Sequence, residues 1–301
     1  MKKKILSLVI VGMTVFLTLT GCSNKNKTND SDVKFVISNE NVDVAEYKGL
    51  EAEKYNSTVT DAEVDTYIEY VMNYDGNDTS DSKYSISDLT DEMVKTISGG
   101  DYDNIQSYRD YIKSVIEEQN LTYYEQNTKE ALFKKVVDNS VLKTYDKDKL
   151  QKYIDYANEY YEEYAKYLNE DLEKLYTDTM GFSSKEEYDK YIEEESLNNL
   201  KKEYVIRAIA DAEKIDIKDE DVDSQVQSYI DDGYFEQKDD VLNYISEEEI
   251  QNNLKYSKIL DLIYDSAKFV ESTESTESST ENTENVTETA TQTSEVFNTE
   301  K

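Results

Sequence analysis

The chain of 301 residues has no histidine, no proline and no tryptophan, a single cysteine and eight glycines. Without histidine there is no Ser-His-Asp or Cys-His nucleophile and no imidazole ligand for a metal. One cysteine excludes an intrachain disulfide, a thiolate zinc site and an iron–sulfur cluster. Positive charge is scarce as well: 33 Lys and Arg stand against 67 Asp and Glu, a formal net charge of −34. A field of that sign repels phosphate backbones, so nucleic acid is not an expected partner. There is no Walker loop and no Gly-rich dinucleotide fingerprint, and no cofactor is expected.

The acids do not converge on a metal motif. Asp219-Glu220-Asp221-Val222-Asp223 begins like a calcium loop, but the required Gly and Glu positions hold Ser224 and Ile230. Asp75, Asp78 and Asp81 fit no better, and carboxylate pairs for glycoside hydrolysis carry no information among 67 acids. No metal site and no catalytic constellation emerges.

What the sequence does contain is zoned. Residues 1–22 have the layout of an export signal: Lys2, Lys3 and Lys4, then an apolar stretch from Ile5 to Leu19. The run Leu19-Thr20-Gly21-Cys22 resembles the lipobox of bacterial lipoproteins, which places lipid attachment (palmitate among the acyl groups) on Cys22, the chain's sole cysteine. Each buried CH₂ contributes roughly 0.8 kcal/mol, so two or more acyl chains hold firmly where one holds marginally. The expected location is the outer face of the bacterial cytoplasmic membrane. Residues 23–40 are mostly polar and read as a tether spanning on the order of 20–25 Å.

Residues 271–301 hold 14 Ser/Thr and 8 Glu with almost nothing apolar, and are expected to be disordered. They read either as a solvated tail or as a wall spacer or glycosylation target. Between tether and tail, residues 41–270 are long enough for one large or two small packed units.

That zone reads as helix. Thr60-Asp61-Ala62-Glu63, Ser183-Ser184-Lys185-Glu186 and Ser246-Glu247-Glu248-Glu249 fit the capping-box pattern, and Thr90 opens a further helix without the reciprocal Glu. Stops fall at Gly99-Gly100, Gly181 and Gly233. Apolar residues recur at threes and fours from Ile105 towards Asp138, from Leu150 to Leu168, from Tyr188 to Ala212, from Val222 to Ile230 and from Ile250 to Ile263. Only Val33–Ile37 and Val42–Lys54 look extended. The fold class is all-α with a short extended N-terminal segment.

Tyr47-Lys48-Gly49-Leu50-Glu51-Ala52-Glu53-Lys54, followed by Val59-Thr60-Asp61-Ala62-Glu63-Val64-Asp65, resembles the trigger factor family of bacterial folding chaperones. The resemblance resumes at Leu89-Thr90-Asp91-Glu92-Met93-Val94-Lys95. It continues through 131–138, 149–168, 183–209 and 219–226, covering about 46–265 in the order of that family's C-terminal chaperone domain. It implies an elongated multi-helix domain with helical arms that cradle unfolded or nascent exported proteins, similar in kind to SurA- and PrsA-type holding domains. In that family an isomerase domain separates the first two phrases. Here only residues 73–88 do, sixteen mostly polar residues that cannot house a β-sheet domain. The ribosome-docking Gly-Phe-Arg signature is missing too, so neither isomerase activity nor a ribosome partner is expected.

The chemical oddity is 27 tyrosines. A Tyr ring offers an apolar face and a polar rim, suited to adaptable contacts on a wet surface. Tyr153, Tyr160, Tyr161, Tyr164 and Tyr167 form the candidate client-binding face. The alternative is that these rings pack helix interfaces in a chain with only seven Phe. Taken together, the expectation is a membrane-anchored, extracytoplasmic chaperone-like protein acting without nucleotide. A surface module for one specific protein or wall-polymer partner is the other reading, and a residual prolyl isomerase a third.

Overall fold

A computed structural model of the chain describes residues 33–74 and 83–271. The export signal, Cys22, residues 23–32 of the tether, residues 75–82 of the polar loop and residues 272–301 of the tail lie outside the described residues. Nine α-helices and five short strands make up the described part, which bears out the all-α reading. The chain divides into two compact units, with boundaries at 50/51, 128/129 and 268/269.

The first unit combines residues up to 50 with 129–268. Strands β1 (Phe35–Ser38) and β2 (Val42–Ala45) pair antiparallel, and β4 (Val141–Leu142) adds to the other side of β2. Strand β1 therefore occupies the end of the 23–40 stretch read as tether. Val42 and Val44 are fully buried, and the Ala45 amide donates to the Ser140 hydroxyl at 3.0 Å. The helices are α4 (Lys147–Tyr167), the short α5 (Leu172–Lys174), α6 (Lys185–Glu213), α7 (Asp219–Asp231), α8 (Lys238–Tyr244) and α9 (Glu247–Asp265).

Their ends follow from local chemistry. Asp146 caps α4 by accepting from the amides of Asp148 and Lys149, and Ser246 with Glu249 closes a full capping box on α9. At α6 the cap is Ser184, which accepts from the Glu187 amide, one residue later than the Ser183/Glu186 pairing predicts. Glu187 still reaches back, to the Ser183 amide at 2.8 Å. Two stops place a residue other than glycine in the left-handed region: Asn169 and Lys214, with φ values of 58° and 55°. Between Asn169 and α6 the chain forms α5 and then one π-helical turn, Leu175–Thr179, with Leu175 and Tyr176 buried. Helices α5 and α8, three and seven residues long, carry too little periodicity to be read from sequence.

The second unit holds residues 51–128 and the chain from 269. Strand β3 (Glu51–Glu53) pairs with β5 (Lys268–Val270), whose first residue belongs to the first unit. Helix α1 (Asp61–Asn73) starts at the expected Thr60–Glu63 capping box, and α2 (Asp91–Ile97) starts at Thr90, which accepts from the Met93 amide. They bury Val64, Tyr67, Ile68 and Val94 against Tyr108, Ile112 and Ile116 of α3 (Ile105–Asn139). An Arg109–Asp65 ion pair joins α3 to α1. Helix α3 runs through the 128/129 boundary, so its last eleven residues belong to the first unit.

In that first unit the family-like phrase at the N-terminus is tied to the end of α6. The Tyr47 hydroxyl donates to Glu213 at 2.5 Å and the Lys48 ammonium at 2.8 Å. These bonds hold the Glu213 carboxyl below its ordinary 4.5, Lys48 contributing most and Tyr47 next. A depressed folded value means this stabilisation is fully present above the unfolded value and is lost as pH falls through the folded one. Urea midpoints followed from about pH 6 to about pH 3 should therefore fall more steeply for the native chain than for Glu213→Gln. Parallel curves would show that the contact contributes nothing.

Candidate functional site

The candidate face is built on α4, and the packing of α4 against α6 decides which of its tyrosines point outward. The two helices run antiparallel, with Lys149 paired to Glu203 near one end and Tyr188 donating to Asn158 at 3.3 Å near the other. Ala157, Tyr161 and Ala165 recur every four residues and are buried with Tyr188 and Ile192. Successive helix residues are turned by about 100°, so the neighbouring stripe 156–160–164–167 borders that seam, with Tyr160 packed against its core and Tyr156, Tyr164 and Tyr167 exposed.

Each expected site residue then finds its place. Tyr161 is 8% exposed, its ring edge-on to Tyr188 at 6.1 Å, and burial drives its hydroxyl far above the usual range. It is a core residue. Tyr153 is half-buried and donates to Glu203 at 3.1 Å, with burial first and Glu203 next raising its pKa. It serves the seam rather than the surface.

Tyr160, Tyr164 and Tyr167 form a ladder. Their centroids lie 6.3 and 6.5 Å apart, and the ring planes differ by only 2° and 16°. Exposure rises along it from half-buried Tyr160 through Tyr164 at 40% to Tyr167 at 66%.

The face is larger than the sequence shows. Tyr156 is 49% exposed and lies within electrostatic reach of both Tyr160 and Tyr244. Tyr244, on α8, packs its ring 5.6 Å from Phe235. Tyr156 carries the same helical signal as Tyr160 and was recoverable from spacing. Tyr244 was not, because its link to α4 is purely tertiary.

Charge on the second half of α4 is mostly negative. Glu159, Glu162 and Glu163 are exposed, and Lys166 pairs with Glu163 at 2.8 Å. No group of three acidic or cysteine ligands that could hold a metal ion occurs among the described residues. No helix among them is long and apolar enough to cross a membrane. The arrangement offers contact surface: aromatic faces with hydroxyl rims, kept wet by carboxylates.

The division between core and surface is measurable. Tyr161→Ala is expected to cost about 3–5 kcal/mol in urea unfolding, as for other buried aromatics. Tyr167→Ala should stay within about 0.5 kcal/mol of the native chain. Equal costs would show that the stripe is misassigned.

Comparison with known proteins follows the same elements. The family model for the bacterial trigger factor protein C-terminus matches residues 104–265, from the start of α3 to the end of α9. Trigger factor of Staphylococcus epidermidis is 22% identical over 189 residues, covering 63% of this chain and 43% of that protein. For trigger factor of Ruminiclostridium cellulolyticum the figures are 23% over 183 residues, 60% and 41%. A shorter match to Staphylococcus aureus trigger factor reaches 31% over 84 residues, 28% of this chain and 19% of that protein. A solved structure concerned with promiscuous substrate recognition in folding and assembly by the trigger factor chaperone aligns at 15% identity. Its TM-score is 0.41, over 59% of this chain and 42% of that one. The chain spans about two fifths of the length of the first two curated relatives. With more than half of its residues matched by that family model, the chain belongs to the trigger factor family through the family's C-terminal region.

Proposed function

We propose that this protein is a membrane-anchored, extracytoplasmic chaperone-like protein that binds unfolded or newly exported polypeptides without nucleotide. The carrying observation is the aromatic ladder on α4, exposed in a chain of the trigger factor family. Aromatic contacts contribute roughly 0.5–1.5 kcal/mol each beyond their area, so three of them supply about 1.5–4.5 kcal/mol. Ordering an unfolded client and fixing it on the surface cost against that gain, so holding comes from several such contacts acting together. Weakness at each contact also lets a client leave as its own core forms, with no nucleotide to drive release.

The address rests on Leu19-Thr20-Gly21-Cys22 and the apolar stretch before it. Acylation of Cys22 would keep the protein on the outer face of the cytoplasmic membrane, where exported chains emerge and ribosomes are absent. Its excess of acids would repel anionic lipid and wall polymers within a Debye length of about 8 Å at physiological ionic strength. In this reading the protein binds and does not catalyse.

Two outcomes test it. The full chain should suppress aggregation of two unrelated denatured proteins at near-stoichiometric ratios, beyond an equally acidic inert control. The triple variant Tyr160→Ala/Tyr164→Ala/Tyr167→Ala should lose most of that effect. Suppression of neither protein would sink the holding role and favour a module with one surface partner. Separately, expressing cells fed an alkyne-tagged palmitate should label the native chain and not Cys22→Ser. No label on the native chain would refute the lipid anchor.

A further inference from the structure

Tyrosine is the side chain of this protein most easily oxidised by one electron. There is no tryptophan, and the single cysteine stands at position 22, outside the described residues. Two phenols couple when their ring edges can meet and neither ring is locked in a core. Most close pairs here fail the second condition. Tyr161, Tyr176 and Tyr188 are buried together, and Tyr160 packs against them. Tyr108 is buried beside Tyr102 and Tyr111, and Tyr55 and Tyr124 are half-buried.

Tyr164 and Tyr167 meet both conditions. Their ring centroids lie 6.5 Å apart with planes 16° from parallel, and both side chains are exposed. A separation of three residues puts them on one helix face, with β-carbons about 5–6 Å apart. Tyr167 is also the last residue of α4, so no further turn of helix confines its ring. Exposed side chains change rotamer on the ps–ns timescale, and the remaining gap closes without unfolding.

The same features favour coupling within one chain over coupling between copies. A ring held beside its partner reacts as an intramolecular pair. A second copy, also of net charge −34, is repelled.

We propose that Tyr164 and Tyr167 form an oxidative modification site, at which hydrogen peroxide acting through a haem peroxidase joins the two rings as dityrosine. Each phenol gives up one electron and one proton, and the peroxide takes up both pairs and leaves as two waters. A bond forms between ring carbons ortho to the hydroxyls, and the hydrogens displaced from those carbons restore the two hydroxyls. The inference rests on ring geometry and charge, and stands whether or not the ladder holds clients.

Treatment of the full chain with a haem peroxidase and hydrogen peroxide, followed by trypsin and mass spectrometry, tests it. Trypsin cuts after Lys152, Lys166 and Lys174, which parts the two rings into peptides 153–166 and 167–174. In protein recovered as monomer these peptides should be joined, lighter than their sum by two hydrogens. The joined species should exceed coupling between copies by about tenfold or more. Tyr164→Phe and Tyr167→Phe should each abolish it, whereas Tyr160→Phe and Tyr123→Phe should leave it in place. Each variant removes only a hydroxyl, and circular dichroism checks that it folds. Absence of the joined species, joining confined to covalent dimers, or its survival in folded Tyr164→Phe would each overturn the proposal.

Discussion

The antiparallel seam between α4 and α6 is the constraint on which the functional reading depends. Ala157, Tyr161 and Ala165 must face Tyr188 and Ile192 for the pair to close. Helical geometry then leaves no choice for the adjacent stripe, which sets Tyr160 at the edge of the core and turns Tyr164 and Tyr167 to the surface. The exposed ladder is thus a consequence of burying its neighbours. Asn169 in the left-handed conformation ends the first helix, and the α5 and π-helical stretch buries Leu175 and Tyr176 in the same core. The surface and the core that orients it form one piece of structure.

Tyrosine serves both roles because the composition permits little else. With seven Phe and no Trp, large rings in the cores are mostly phenols, and a buried phenol needs a partner for its hydroxyl. Tyr47 finds Glu213, Tyr153 finds Glu203, Tyr188 finds Asn158 and Tyr256 finds Glu130 at 2.6 Å. In each case burial, with an adjacent carboxylate where one is present, pushes the phenol upward, so these rings stay neutral at any physiological pH. Carboxylates therefore do double duty, as acceptors for buried phenols and as the solvated face outside.

Much of this was legible in the sequence, and the reasons for the misses are specific. Capping boxes at Thr60 and Ser246 carry their own reciprocal partner and were readable to the residue. At Ser183-Ser184 two serines and two glutamates stand side by side, and only backbone geometry chooses Ser184 with Glu187. Asn169 and Lys214 stop helices without the glycine that marks such stops. The candidate face was found as a stripe, but three- and four-residue spacing cannot separate adjacent stripes. Tyr161 in the core and Tyr164 outside look alike until α6 is in place. The division into two units depends on contacts between residues far apart in the chain, which no local pattern records.

The central claim is that the α4 ladder is where unfolded chains are held, and site-specific photo-crosslinking tests it most directly. A photoreactive phenylalanine analogue would be placed at Tyr164, at Tyr167 and, as a control, at Tyr123. Tyr123 is 64% exposed but lies in the other unit, and Tyr167 is 66% exposed. With a denatured client present, the account expects strong crosslinks from the two ladder positions, weak ones from Tyr123, and loss of all three once the client has folded. Equal crosslinking from Tyr123 and Tyr167 would show that exposed aromatics bind clients wherever they stand, and would contradict a dedicated face.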